Sequence, residues 1–343
     1  GVVILGKTNV PPMLADWQSD NPVYGRTNNP WDRSRTPGGS SGGSGAALAA
    51  GYVPLEFGSD IGGSIRIPAA FCGVYGHKPS YGVVPSRGHT PPGIEGNDVP
   101  LAVIGPMART AADLDLAMGV LAGPAPEEAV GYSLSFPDPR QTRLADFRVL
   151  ILDHHPAAPT SAAIVAALNA LGDRLEDLGA RVDRQSELVP DLAEGHALYG
   201  AILNVAMTRG RPGARSPSAH EWMDLQDAQL AVRRQWARLF EGFDVVLAPA
   251  HGSVAFPHDD SPDMGARRLL IDNQPTRYFD HLAWPGVATL AHLPVTAAPI
   301  GLTAEGLPIG IQIIGPYLED RTPIAFAGLL EREFGGFVAP PGY

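Results

Sequence analysis

The chain has little cysteine, little lysine and no long apolar run. Its 343 residues include one cysteine, Cys72, which excludes an internal disulfide and a cysteine-based metal site and favours a reducing compartment. No stretch of 18 uncharged apolar residues is present, which argues against a membrane-spanning helix. The 25 basic residues include two lysines, Lys7 and Lys78, so chemistry that needs a neutral amine has few candidates.

The charge balance is acidic. The 36 acidic and 25 basic residues give a formal net charge of −11, and the basic residues form no run. This argues against nucleic acid as a partner, because its phosphates are held mainly by clustered basic side chains. We expect a cytoplasmic protein with no nucleic-acid and no membrane partner.

Metal-binding and cofactor-binding patterns are weak. The sequence contains no H-E-x-x-H motif, and the polar loop with His251, His258, Asp259 and Asp260 is more typical of solvated side chains than of ligands. We expect no metal and no cofactor.

Short apolar runs alternate with helical patterns along the chain. Residues 2–5 and 148–152 are typical of buried strands, and residues 295–300 and 308–314 predict a hairpin. The run at 148–152 precedes a helical pattern of leucines and a further strand at Val182, which predicts a parallel βαβ unit. The fold class is therefore α/β, and we expect one domain over residues 1–343.

Three threonines are predicted helix N-caps. Thr110 is followed by Asp113 at the capping-box position, Thr160 precedes the leucine pattern, and Thr322 precedes a proline at the first helical position.

The first of two Gly/Ser clusters, residues 37–45, allows three interpretations. It has the composition of a flexible linker, it matches a G-x-S-x-G nucleophile elbow with Ser41 at its centre, and it resembles a weak phosphate-binding loop. The residues before it do not form a convincing strand, which the elbow would need.

The second cluster, residues 58–66, follows a strand pattern and ends near Ser64. The backbone N–H groups of Ile61, Gly62, Gly63 and Ser64 itself could stabilise an oxyanion beside that serine. A tight glycine turn without chemistry is about as well supported by spacing alone.

Taken together, these clusters resemble the amidase signature family of serine amide hydrolases. The matching blocks are residues 6–9, 21–25, 29–32, 37–45, 58–66, 68–73, 78–79, 105–110, 244–248 and 306–312. The resemblance implies a single mixed β-sheet core surrounded by helices, and no cofactor.

The resemblance also implies site roles. Ser64 corresponds to the nucleophile. Ser40 corresponds to a bridging serine that has a cis peptide bond with Gly39 or Ser41 and relays a proton to a neutral lysine. We expect the two hydroxyl groups within hydrogen-bond reach. Ser41, Asp60 and Arg66 are expected to support the site, the last two by pairing with each other.

The lysine of this relay has no match in the chain. Lys7 lies in a block that the family places after its catalytic lysine, and Lys78 follows the nucleophile. We therefore expect that the catalytic lysine lies in an N-terminal segment before Gly1 that this sequence lacks, and that the chain alone is an incomplete catalyst.

The expected function is hydrolysis of a small-molecule carboxylic amide to an acid and ammonia or an amine, through a serine acyl-enzyme. One alternative is an amidotransferase subunit that releases ammonia from glutamine. Another is a non-catalytic relative that acts as a binding or scaffold protein. A homodimer is one expected assembly, and Trp284, residues 91–93 and the loops near 250–290 are candidates for the substrate pocket.

Overall fold

The computed structural model describes residues 2–89 and 98–343. The candidate pocket residues 91–93 therefore lie outside the described residues. Within these ranges the strands are β1 Asp20–Asn21, β2 Gly25–Arg26, β3 Leu55–Asp60, β4 Tyr75–Lys78, β5 Val103–Ala108, β6 Arg148–Ile151, β7 Arg181–Asp183, β8 Val245–Pro249, β9 Arg268–Ile271, β10 Gln274–Arg277, β11 Val295–Leu302 and β12 Pro308–Ile314. The helices are α1 Gly42–Ala49, α2 Arg66–Cys72, α3 Ala111–Leu121, α4 Ala162–Asp177, α5 Leu192–Thr208, α6 Ala219–Gly242, α7 Ala283–Leu290 and α8 Arg321–Phe334.

A mixed sheet organises the core. It has eight strands in the order β3-β5-β4-β11-β12-β8-β6-β7. The pairs from β3 to β8 are antiparallel, and β6 pairs in parallel with both β7 and β8. Helices surround this sheet, which confirms the predicted fold class.

Both faces of the sheet are buried because side chains alternate along each strand. In β6, Val149 and Ile151 join a cluster that contains the leucines of α4, whereas Leu150 packs with Trp236 and Leu239 of α6 on the other face. Burial of each such aliphatic side chain stabilises the fold by about 1.5–3 kcal/mol. This double covering explains why the inner strands appear in the sequence as continuous apolar runs.

Several local predictions are confirmed. The strand at 148–151 pairs in parallel with β7 across α4, and β11 pairs with β12 as an antiparallel hairpin. The Thr110 hydroxyl accepts a hydrogen bond from the N–H of Asp113 at the start of α3.

Three local predictions are wrong. Residues 2–5 form no strand, and Val3 and Ile4 are each 85% exposed, because no strand among the described residues pairs with them. Ser161 rather than Thr160 is the N-cap of α4, since the Thr160 hydroxyl is bound by the Trp284 indole instead. Asp320 rather than Thr322 is the N-cap of α8.

In the described part of the chain, the helices fall short of the length and apolar character needed to cross a bilayer.

The site is positioned by two helices that follow the Gly/Ser clusters. Residues 37–41 lead into α1, and the turn after β3 leads into α2. The two helices pack so closely that a Cβ atom added to Gly45 of α1 would lie 3.0 Å from the Pro68 carbonyl oxygen of α2. This contact brings the two clusters together in space.

Candidate active site

Ser64 lies at the end of a tight turn between β3 and α2. Its side chain is nearly buried, with the residue 7% exposed. Gly63 has φ +92°, and a Cβ atom there would lie 2.6 Å from Ile67 Cδ1. The turn therefore requires glycine at this position, for both conformational and steric reasons.

Asp60 holds the turn from inside. Its carboxylate accepts hydrogen bonds from the N–H groups of Gly63 at 2.9 Å and Ile65 at 3.1 Å. Burial opposes its ionisation, but the charge and hydrogen bonds of Arg66 outweigh that effect and lower the pKa of Asp60. The carboxylate thus remains charged and keeps the turn closed.

Arg66 is fully buried and links the turn to the sheet and to α7. Its Nη2 and Nε atoms lie 2.8 and 3.0 Å from the two Asp60 carboxylate oxygens. The guanidinium also donates to Gln312 Oε1 at 2.9 Å, Thr289 Oγ1 at 2.8 Å and the Pro285 carbonyl at 3.0 Å. The predicted Asp60–Arg66 pair is therefore present, and its surroundings are polar.

The backbone N–H groups of the turn divide into two sets. Gly63 N–H is occupied by Asp60. Among the described residues, those of Ile61, Gly62 and Ser64 have no acceptor. The N–H groups of Ile61, Gly62 and Ser64 are therefore not occupied by acceptors in the described residues, whereas that of Gly63 serves the turn.

Ser40 and Ser41 lie against the turn of residues 61–64. Ser40 is 1% exposed, and the peptide bond between Gly39 and Ser40 is cis, as the resemblance implies. The Ser41 N–H donates to the Ser64 carbonyl oxygen at 3.2 Å, so the two segments are in contact, and the supporting role of Ser41 stays a prediction.

The two candidate hydroxyl groups are not bonded to each other. In the part of the chain that the structure describes, Ser40 accepts through its carbonyl oxygen from the Ser19 hydroxyl at 3.1 Å, and no bond joins Ser40 Oγ to Ser64 Oγ. The expected hydrogen bond between them is therefore absent from this arrangement.

The two lysines have different environments. Lys7 is exposed. Lys78 in β4 is 1% exposed, and its Nζ donates to the carbonyls of Leu293 at 2.8 Å and Pro79 at 3.1 Å. Burial and then the charge of Arg66 lower the pKa of Lys78 to about 7. Its contacts are with backbone carbonyls, not with either candidate serine.

Among the described residues, the side chains of Cys72 and His251 make hydrogen bonds to residues outside the turn. Residues 2–89 and 98–343 contain no group of three metal-ligating side chains. Burial raises the pKa of the Cys72 thiol, so this cysteine is held as the neutral thiol. His251 is buried and stacks on His281, with ring centroids 4.9 Å apart.

Some contacts differ from the sequence-based expectations or had no signal in the sequence. Trp284, a candidate for the substrate pocket, is fully buried and donates to Thr160 at 2.8 Å, so it belongs to the core. Tyr199 and Trp17 donate to the carbonyls of Ile61 and Gly62 in the turn, but no sequence pattern near either residue predicts these hydrogen bonds. Gln312 lies in the block 306–312, which resembles the family. That resemblance was the sequence feature that could have indicated a position of Gln312 near the site.

Comparison with known proteins agrees with this geometry. The family model described as Amidase matches residues 1–211 and 199–323. This chain belongs to the amidase signature family. The family hydrolyses amide C–N bonds, and the chain is accordingly classed with its amidases.

Three relatives illustrate the similarity. The chain is 30% identical to fatty-acid amide hydrolase 2-A of Danio rerio, over 99% of this chain and 68% of that protein. It is 33% identical to a glutamyl-tRNA(Gln) amidotransferase subunit of Saccharolobus solfataricus, over 97% of this chain and 75% of that protein. The crystal structure of the corresponding subunit from Thermotoga maritima has a TM-score of 0.81 and 25% identity, and the match covers 98% of this chain and 76% of that one.

Proposed function

We propose that the chain is a serine amidase in which Ser64 is the nucleophile. Its Oγ attacks the carbonyl carbon of a carboxylic amide, and the oxyanion forms beside the N–H groups of Ile61, Gly62 and Ser64. The C–N bond then breaks, the acyl group stays on Ser64, and water releases it as the acid. The observation that carries this proposal is the position of Ser64 in a turn whose neighbouring N–H groups have no acceptor among the described residues.

Ser40 is the proposed proton relay. It would take the proton of Ser64 while passing its own hydroxyl proton to a neutral base, which the family resemblance implies is a lysine, and it would return a proton to the departing ammonia or amine by the reverse path. The hydrogen bond from Ser41 N–H to the Ser64 carbonyl brings the segment of Ser40 against the nucleophile. The proposed transfer requires the hydroxyl groups of Ser40 and Ser64 to come within hydrogen-bond reach of each other.

The substrate is proposed as a small carboxylic amide. The relative from Danio rerio is named for fatty-acid amides, which makes an apolar acyl chain one class to include. Hydrolysis of aliphatic, aryl and amino-acid amides by the purified protein would identify the acyl group that is preferred.

A fluorophosphonate probe tests the assignment, since it reacts with activated serines. We expect one label per chain, located on Ser64 by peptide mass spectrometry and absent from Ser64→Ala. If neither this chain nor a form extended at its N-terminus to include the expected lysine takes the label or hydrolyses an amide, the non-catalytic binding or scaffold function is favoured.

A second candidate is the glutamine-dependent subunit of an amidotransferase. The similarity to the Thermotoga maritima protein favours it. After Lys78 and Pro79, however, residues 80–86 read Ser-Tyr-Gly-Val-Val-Pro-Ser, which is more similar to general amidases. Release of ammonia from glutamine, together with copurification of a partner protein, would support this candidate.

We place the protein in the cytoplasm, a proposal supported by its single cysteine, which fits a reducing compartment. The homodimer stays a prediction, which sedimentation of the purified chain would test.

A further inference from the structure

Two side chains from distant parts of the sequence bind the carbonyl groups of the nucleophile turn. The Tyr199 hydroxyl, from α5, donates to the Ile61 carbonyl oxygen at 2.8 Å. The Trp17 indole Nε1 donates to the Gly62 carbonyl oxygen at 3.0 Å. Tyr199 is fully buried and Trp17 is 5% exposed. The bond from Trp17 is buried, and the bond from Tyr199 is partly buried.

Each of these carbonyls belongs to a peptide unit that also carries an N–H group of the turn. The Ile61 carbonyl shares a rigid plane with Gly62 N–H, and the two groups point in opposite directions in a trans peptide. A donor that fixes the carbonyl therefore also fixes the direction of Gly62 N–H. This N–H is one of the three that have no acceptor among the described residues.

The next peptide unit is held at both ends. Its carbonyl, on Gly62, accepts from Trp17, and its N–H, on Gly63, donates to Asp60 at 2.9 Å. Rotation of this unit would break both bonds. The unit therefore sets the orientation of the backbone just before Ser64.

The packing around the turn leaves little room for another arrangement. A Cβ atom added to Gly62 would lie 3.1 Å from Leu282 Cδ2 and 3.4 Å from the Tyr199 hydroxyl. Burial raises the pKa of Tyr199, which keeps its hydroxyl protonated as a donor. Tyr199 thus touches the same peptide unit by packing and by hydrogen bonding.

We propose that Tyr199 and Trp17 are positioning residues for the oxyanion site: Tyr199 orients Gly62 N–H by holding the Ile61 carbonyl of the same peptide unit, and Trp17 fixes the next unit, which sets the backbone just before Ser64. This inference rests on the proposed function, in which Ser64 performs acyl transfer in this turn. Such preorganised donors matter because they need no reorientation when charge develops on the substrate oxygen. Neither residue touches the substrate in this scheme.

The test uses Tyr199→Phe and Trp17→Phe, which remove the two donors and keep an aromatic ring. Tyr75→Phe is the matched control for the tyrosine, because Tyr75 is 1% exposed and lies in a different core cluster. Trp31→Phe is the control for the tryptophan, because the Trp31 indole also donates to a backbone carbonyl, that of Cys72, at 3.0 Å. Melting temperatures establish that each variant is folded.

The readout compares a 4-nitrophenyl ester with its thionoester, in which sulfur replaces the carbonyl oxygen. The nitrophenolate leaving group needs no proton, so the assay reports attack and oxyanion stabilisation. Loss of one oxyanion donor lowers kcat by about 10²–10³-fold in a serine protease, and we expect misorientation to lower kcat/KM for the ester by about 10-fold or more. The kcat/KM for the thionoester should fall by a smaller factor, since sulfur accepts weaker hydrogen bonds. The KM for either substrate should change little.

A purely structural role predicts a different result. In that case kcat/KM would fall by the same factor for the ester and the thionoester, or would not fall in the folded variants, and either outcome overturns the inference. Ser64→Ala separates this failure from failure of the proposed function. Activity that persists in Ser64→Ala, or a parent chain that neither hydrolyses the ester nor takes the fluorophosphonate label, would overturn the proposed function and the inference with it.

Discussion

Asp60 and Arg66 form a bidentate ion pair in which both side chains are fully buried. The carboxylate uses its remaining hydrogen-bonding capacity on the backbone of the turn that ends at Ser64, and the guanidinium uses its own on Gln312, Thr289 and a carbonyl of α7. The pair therefore connects the turn that ends at Ser64 to the sheet without either charge reaching solvent.

Asp60→Asn should destabilise the protein strongly. The substitution leaves the Arg66 charge buried without its partner, and breaking a buried ion pair in this way costs about 3–5 kcal/mol. Chemical denaturation measures the loss. Asp173→Asn is the control, because Asp173 is 72% exposed in its pair with Arg184, and a surface pair is worth about 0–1 kcal/mol. Equal losses of unfolding free energy in the two variants would show that the buried pair stabilises the protein no more than the surface pair does.

Ser64→Ala should abolish amide hydrolysis. Removal of the attacking hydroxyl lowers turnover by at least ~10³-fold in comparable serine enzymes. The melting temperature should stay close to that of the parent, because among the described residues the Ser64 hydroxyl makes no hydrogen bond. Ser41→Ala, at the position that follows Ser40, serves as the comparison. Full activity in Ser64→Ala together with loss in Ser41→Ala would identify Ser41 as the nucleophile.

Elements with a repeating apolar pattern could be predicted from the sequence. The apolar run of β6 and the leucine spacing of α4 reflect burial on defined faces, so both were predictable. Helices α2 and α7 were not, because each is buried on all sides and each contains a proline, Pro68 and Pro285. A helix without a polar face has no periodicity, and its stability comes from tertiary packing.

The site was predictable only where its residues lie close in the sequence. Asp60 and Arg66 are six residues apart, and their predicted pairing is present in the structure. The donors Tyr199 and Trp17 reach the turn from other elements, and their side chains give no sign of this at the sequence level. Gly63 was expected to donate to an oxyanion, but its N–H is taken by the neighbouring Asp60 carboxylate.

His292 should make the protein sensitive to acid. Burial and then the charges of Arg233 and Lys78 lower the pKa of His292 to about 3 from an ordinary value of 6.5. Between pH 6.5 and 3 the unfolded chain binds the extra proton, so the free energy of unfolding falls as the pH is lowered. The expected contribution is on the order of 1 kcal/mol per pH unit.

His292→Asn tests this contribution. His292 has φ +62°, a conformation that asparagine tolerates, so the backbone should be retained while the titrating ring is lost. Unfolding at pH 6.5, 5.5 and 4.5 should show a shallower decline in the variant than in the parent. Parallel curves for the two proteins would contradict the assignment. Loss of the stacking contact with Tyr81 lowers the whole curve and leaves its slope unchanged.

Lys78 should change the free energy of unfolding at neutral to alkaline pH, whereas His292 changes it at acidic pH. Its pKa of about 7 in the folded chain lies below the ordinary value of 10.5, so the unfolded chain binds more protons between these values. The free energy of unfolding therefore rises with pH above 7. Relative to the parent, Lys78→Met should lose this rise between pH 7 and 9, whereas Lys7→Met, which removes an exposed lysine, should follow the parent.

The same two variants test whether either lysine serves as the base of the relay. Lys78 Nζ is occupied by the Leu293 and Pro79 carbonyls, and Lys7 is exposed, so neither arrangement places an amine on Ser40. We expect both folded variants to take the fluorophosphonate label on Ser64 at the rate of the parent chain. A labelling rate that falls in folded Lys78→Met, and follows a pKa near 7 in the parent, would instead make the buried lysine the proton acceptor. A fall confined to Lys7→Met would assign that role to the exposed lysine, which would have to approach Ser40 from its position in this structure.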